Sequence, residues 1–448
     1  MDRRAQVTQG ESRTVDDRMQ NAAGSTRERK QRILQSAVEA GYLNDEQPLV
    51  AFVDTLSLAS TVQSLLDAFP GHFEHTFAAK ANTMSRALQV IRDAGMGCEV
   101  ASRGELEQAL RAGFDPCRIV YDEPTKTHSV LHDILNLGID LNIDNFQEFQ
   151  RVESLHSGEA ERSRIGFRIN PQVGSGSISA MSTATLSSKF GIPIEDDGMR
   201  RRLVQCYLDH PWLTTIHTHI GSQGCKLTLM SAGIRKVVDL AEEINAAAGE
   251  QQITVIDIGG GLPVNFDGEK VTPTFSDYAE LLRADVPELF SGKYTVKTEF
   301  GRSIFAKNGF IAARVEYTKQ SGGRHIALTH AGVQVATRTV FMPDHWKIRL
   351  SAYDAHGREK TGNRVRQDIA GPCCFAGDMI GTDRDLPLIE PGDLIVLHDT
   401  GAYYFSNPYY YNSLQAIAVY GAEVQGDEVE FDLWRRLQTI DELLSMIG

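Results

Sequence analysis

The chain has 448 residues, 42% of them apolar and 23% charged, with a formal net charge of −14. That length allows two domains with sizeable cores, the acidic balance argues against a nucleic-acid partner, and no run of about 18 apolar residues exists to cross a membrane. Residues 1–30 lack the apolar core of a secretory signal, and six cysteines without a C-x-x-C pair point to reduced thiols in a cytoplasm.

Residues 1–30 are polar and read as a mobile arm. Residues 31–54 end in PLVAFVD, a strand donated to a later β domain. From residue 76 short apolar runs alternate with helical periods. TFAA (76–79) precedes Met84, Ala87, Leu88 and Ile91 at helical spacing. CEVA (98–101), IVYD (119–122), IDLNI (139–143) and RIGFRI (164–169) follow, each with a helical segment behind it. A Gly/Ser-rich insertion occupies 173–188. LTTIHTHI (213–220), ITVIDI (253–258) and YTVKTE (294–299) complete eight strands. This alternation predicts a (β/α)8 TIM barrel over residues 55–308, about the usual length for that fold, with a doubly wound open sheet as the competitor. Beyond it, β-branched, turn-bounded runs such as FIAARVEYT and DLIVLHDT predict a mostly β C-terminal domain over 309–448.

Polar residues gather where barrel strands end, the face that carries active sites in this fold. Lys80 follows strand one, Glu99 lies in strand two, and His219 is near the end of strand six. Gly259, Gly260 and Gly261 follow strand seven, and Glu299 closes strand eight with Arg302 just after it. A lysine beside an apolar strand needs a partner or a task. Three glycines let backbone N–H groups approach an anion, and Arg302 adds a guanidinium fork. An amine for an aldehyde, a phosphate cradle and an acid for a ring nitrogen together suggest pyridoxal 5'-phosphate. A tight turn alone remains the plain reading of the glycines. His217-x-His219 is also a possible metal pair, but no third ligand of matching spacing is visible, and no metal is expected.

The ordered motifs FAAKAN, CEVASRGEL, HTHIGSQ, DIGGG, EFGR, GPCCFAGD and DTGAY resemble the fold-type III pyridoxal-phosphate decarboxylases, over roughly residues 48–445. The resemblance implies an amino-acid decarboxylase acting as a head-to-tail homodimer with shared sites. Lys80 would carry the cofactor, with Glu99 close by, and His219 would lie on the ring face. Ser222, Gly259, Gly260, Gly261, Arg302 and Tyr403 would hold the phosphate, and Glu299 would meet the pyridine nitrogen. Cys374, supplied by the partner subunit, would return a proton after CO2 leaves. Lys189 and Asp378 would form an intersubunit ion pair.

Of three departures, the first, at Phe300, implies only a local backbone effect, and the other two bear on the substrate. EFGR has Phe300 where the family has proline. Phe375 stands where the diaminopimelate and ornithine enzymes place an acid for the substrate's distal ammonium. Arg338 matches an arginine for a distal carboxylate but has lost its surrounding motif, so a structural role stays open. Tyr411 is a further substrate-side candidate, or part of an aromatic wall with Tyr409 and Tyr410. Diaminopimelate decarboxylation proper, a racemase or epimerase on the same cofactor, and a non-catalytic regulator are the alternatives.

Overall fold

The computed structural model describes residues 25–156 and 163–448. The expected arm lies outside the described residues as far as residue 24. Its last residues are not an arm but the start of a helix, Thr26–Glu39, because Ser25 and Glu28 form a reciprocal capping box.

The strands run, in chain order, β1 (Leu49–Asp54), β2 (Phe73–Ala78), β3 (Gly97–Val100), β4 (Ile119–Tyr121), β5 (Asp140–Ile143), β6 (Ile165–Asn170), the two-residue β7 (Ile192–Pro193), β8 (Leu213–Thr218), β9 (Val255–Asp257) and β10 (Thr295–Phe300). Eight of them pair in parallel in the order β5-β4-β3-β2-β10-β9-β8-β6, and the β5–β6 pairing seals the ring. The barrel read from the sequence is therefore closed, and the open-sheet alternative is excluded.

Strand β6 shows how residue type sets the layers. Phe167 points outward and meets Phe146, Phe149 and Tyr207 on the covering helices, with ring centroids 5.4 to 5.8 Å apart. Arg168, one residue on, points inward and reaches Asp122 at 2.5 Å. The Gly/Ser-rich insertion folds back on the strand-end face, where Thr183 and Ala184 donate to the Ile220 carbonyl.

Strands β11 (Gly309–Ser321), β12 (Arg324–Thr329), β13 (Leu350–Tyr353), β14 (Arg364–Ala370), β15 (Met379–Pro387), β16 (Leu394–Leu397), β17 (Ala418–Gln425) and β18 (Glu428–Arg435) form the second sheet together with β1. Its path is β15-β14-β12-β11-β1-β17-β18, with β16 joined to β11 and β13. β1 lies antiparallel to β11 and parallel to β17. Helices Val333–Phe341 and Ile440–Ile447 also occur here, although no helical period is evident in the sequence. Both are too short to show one, and the first is kinked at Ala336.

Ile33, Leu34 and Ala37 of the N-terminal helix pack with Val50, Phe52, Phe310 and Val396 in a core of their own. Phe52 is fully buried, with Phe310 at 5.2 Å and Phe431 at 6.1 Å. Phe52→Ala is expected to cost about 3–5 kcal/mol of stability, read by chemical denaturation, because the ring's cavity cannot collapse between paired strands.

Candidate active site

The site begins at Lys80, in the single 3-10 turn Ala79–Ala81 that ends β2. Its Nζ donates to both carboxylate oxygens of Glu99, at 2.8 and 2.7 Å. Glu99 is fully buried in β3, whereas the lysine side chain is 41% exposed at the rim. Burial works against charge on Lys80, but Glu99, with Tyr403 and Glu299 nearby, outweighs it and the pKa is raised. The lysine therefore has the partner that its sequence position demanded.

Behind this pair the barrel interior is crowded with ionisable groups. Glu299 is 3% exposed, and its Oε1 has no hydrogen-bond partner. Burial, then the charges of Glu99 and Asp122, push its carboxyl well above the usual range. Asp257 is pushed to about 8 by burial and by Glu299. His217 is fully buried, with Nε2 3.5 Å from Glu299 Oε2. His217 groups with Asp122 and Glu299, whose side-chain ligand atoms lie within 4.8 Å of one another. His217 turns to Glu299, and His219 Nδ1 accepts the Gly260 N–H at 3.2 Å. Burial, then Arg168 and Lys80, hold the His219 pKa well below its ordinary value, so the ring is neutral.

The glycine run is shaped by backbone contacts. Gly259 and Gly261 have φ of 66° and 96°. A Cβ on Gly260 would collide with the Glu299 carbonyl, and one on Gly261 with the Gly221 carbonyl. Only glycine fits this close approach of backbone to backbone, and the Gly259 N–H donates to Asp257 Oδ1 at 2.9 Å. Ser222 lies on the neighbouring loop, its own N–H donated to the Met181 carbonyl.

Arg302 faces the same corner. It is 5% exposed, and its Nε and Nη1 lack partners. Burial, with Arg338 adding to the effect, lowers its pKa to about 10. Arg302 and Arg338 lie 4.5 and 4.4 Å from the Tyr403 ring centroid and 4.8 and 5.2 Å from that of Trp346. Arg338 Nη1 is also buried without a partner. Two unneutralised guanidinium groups at one corner call for a doubly charged anion. Tyr403 reaches this corner from the β domain with φ of 65°, and its N–H donates to the Ala81 carbonyl next to Lys80. A second link joins Asn82 Nδ2 to the Gly401 carbonyl at 3.0 Å.

Cys374, Phe375, Asp378 and Tyr411 lie on the β domain, whereas Lys189 is exposed on the barrel, its Nζ 4.8 Å from the Phe190 ring centroid. Cys374 is exposed with a free thiol, and its N–H donates to Asn412 Oδ1. Phe375 meets Tyr411 at 5.2 Å. Asp378 is buried within its own chain, where it accepts from the N–H groups of Val333 and Cys373. Phe300 is a packing residue, fully buried against Phe69, Phe275 and Tyr278. Sequence reasoning missed Asp122, Arg168, Asp257 and Trp346. A lone arginine inside RIGFRI and an aspartate closing IVYD or VID were the available signals.

A family model, "Pyridoxal-dependent decarboxylase, pyridoxal binding domain", matches residues 56–306. The chain belongs to this family. It is 31% identical over 82% of its length to a diaminopimelate decarboxylase of Pseudomonas aeruginosa, covering 84% of that protein. A Methanothermobacter thermautotrophicus protein of the same name is 29% identical over 93% of this chain and 95% of its own. The crystal structure of the Helicobacter pylori diaminopimelate decarboxylase complexed with L-lysine is similar, with a TM-score of 0.79 and 25% identity over 91% of this chain and 99% of that one. The protein is thus a pyridoxal-phosphate-dependent amino-acid decarboxylase, a carboxy-lyase. The residues present fit the cofactor: a rim amine, a glycine cradle, orphaned guanidinium N–H groups and a buried carboxyl with one free oxygen.

Gly261→Ala is expected to lower affinity for pyridoxal phosphate by about tenfold or more, since it adds both a clash and a strained φ. Cofactor absorbance per mole of protein after titration measures this.

Proposed function

We propose that this chain decarboxylates an α-amino acid at the barrel rim, with the β domain of a second copy completing each site. The observation that carries the proposal is the rim geometry around Lys80: an amine tied to a buried carboxylate, facing a glycine cradle and two unneutralised arginines.

The roles follow from each group's surroundings. Lys80 offers the ε-amine to the cofactor's aldehyde, and Glu99 holds that amine at the rim. The Gly259–Gly261 turn, through the N–H of Gly261, would bind the phosphate with the Ser222 hydroxyl, Arg302 and Tyr403. Arg338, at the same corner, adds a second guanidinium toward that dianion. His219, neutral and fixed through Nδ1, lies along the cofactor ring. The free Oε1 of Glu299 would accept from the protonated pyridine nitrogen, and that positive charge would offset the burial that otherwise disfavours the carboxylate. When bound, pyridoxal phosphate supplies the electron sink for the pair left by departing CO2. Cys374 delivers a proton to the α-carbon, and Lys80 carries protons on and off the amine.

The homodimer reading rests on the exposed position of Cys374 and on the apolar side chains around it. Phe341 is 56% exposed, Tyr409 40% and Met342 38%, a patch that a single chain leaves uncovered. Six free cysteines suit a reducing cytoplasm.

Borohydride reduction of the loaded enzyme followed by peptide mapping is expected to place the label on Lys80. Label elsewhere, or none, would sink the proposal. Lys80→Ala should lower CO2 release by roughly a thousandfold or more. Cys374→Ala should lower kcat by about a hundredfold while cofactor absorbance stays unchanged, as expected for loss of a proton donor alone.

A further inference from the structure

The loop that presents Cys374 is walled by aromatic rings. Phe375 lies nearly parallel to Phe341, with centroids 6.0 Å apart and planes at 15°. Its edge meets Tyr411 at 5.2 Å. Tyr409 stacks on Tyr411 and meets Phe341 edge-on, both at 6.1 Å. Phe341 follows Arg338 by one helical turn, so this wall continues directly from the corner where Arg338 and Tyr403 meet.

No free acid lies among the ring-bearing segments of this wall; the nearest in sequence, Asp344, is exposed two residues beyond Met342. The segments GPCCFAGD (371–378), RTVFM (338–342) and NPYYYN (407–412) contain one carboxylate between them, Asp378. That carboxylate is 3% exposed, and its two oxygens are taken by the N–H groups of Val333, at 2.6 Å, and Cys373, at 2.7 Å. Nor do the rings form an open cage. Phe375–Phe341 and Tyr409–Tyr411 pack as near-parallel pairs and meet one another edge to face, so the rings are engaged with each other. A free ammonium brought here would lose hydration and gain no counter-charge.

We infer that the substrate ends, away from its α-carbon, in an uncharged group, an acyl-capped amine or an aryl or alkyl end, and that Phe375 is the specificity-determining residue. This rests on the decarboxylase reading above and on the Cys374 loop reaching the reacting centre. It sets this chain apart from the Helicobacter pylori relative, whose crystal ligand, L-lysine, ends in a free ammonium.

The holoenzyme would be assayed for CO2 release from L-lysine, L-ornithine and meso-2,6-diaminopimelate, against Nε-acetyl-L-lysine, Nδ-acetyl-L-ornithine, L-leucine and L-phenylalanine. Binding of cadaverine and N-acetylcadaverine would be measured by calorimetry on the same protein. The expected result is a kcat/KM at least about a hundredfold higher for the best uncharged-ended member than for the best ammonium-ended one, and tighter binding of N-acetylcadaverine. Phe375→Glu should narrow or invert both preferences by at least about tenfold, and Phe375→Leu should keep them. Preferred turnover of lysine, ornithine or diaminopimelate by the unaltered enzyme, or a Phe375→Glu variant with unchanged preference, overturns the inference while leaving the decarboxylase intact. CO2 release from no member counts against the decarboxylase reading. The calorimetric preference then decides the inference separately: tighter cadaverine refutes it, tighter N-acetylcadaverine upholds it.

Discussion

A lysine ammonium held 2.7 Å from a fully buried carboxylate is the contact on which the rest of this molecule turns. Glu99 without Lys80 would be an unpaired charge inside a barrel, and Lys80 without Glu99 would have no fixed direction. The closed ring of strands makes the arrangement possible. It excludes water from Asp122, Arg168, His217, Asp257 and Glu299, whose mutual fields then set which of them hold protons. Arg168 compensates Asp122 across the interior. Among the described residues no such cation touches Glu299 or Asp257, and burial shifts both carboxyls upward. A buried carboxyl without a paired cation is costly to ionise until a positive group is brought beside it.

Much of this was legible in the sequence because barrel strands are short and end in conspicuous residues. Lys80 stood out as a charge closing an apolar run, and the three glycines as a turn that no other residue could make. Arg168 and Asp122 were hidden for a related reason. In a parallel barrel both faces of a strand are covered, so an inward arginine sits in a run that reads as uniformly apolar, and only its partner on another strand explains it. Trp346 was hidden because nothing in a loop announces which ring will stack on which guanidinium. The start of the N-terminal helix was mistaken for more arm because Thr26–Lys30 is polar, and the signal that mattered was the cap at Ser25 and Glu28.

The seam between the domains is as much part of the site as the barrel. Tyr403 adopts a left-handed backbone, costly for a tyrosine, and the Ala81 carbonyl that holds it there adjoins the lysine. The two arginines, one from the end of the barrel and one from the β domain, share that tyrosine ring. Docking of the two halves and assembly of the anion corner are therefore a single event.

The groups that surround the breaking bond are rooted in strands, where a change disturbs a packed interior. The wall near Cys374 hangs on loops 338–346 and 371–378, whose rings face solvent and one another. A change of ring in those loops disturbs fewer packed neighbours than a change inside the barrel, so the wall is the part of this surface most easily remade.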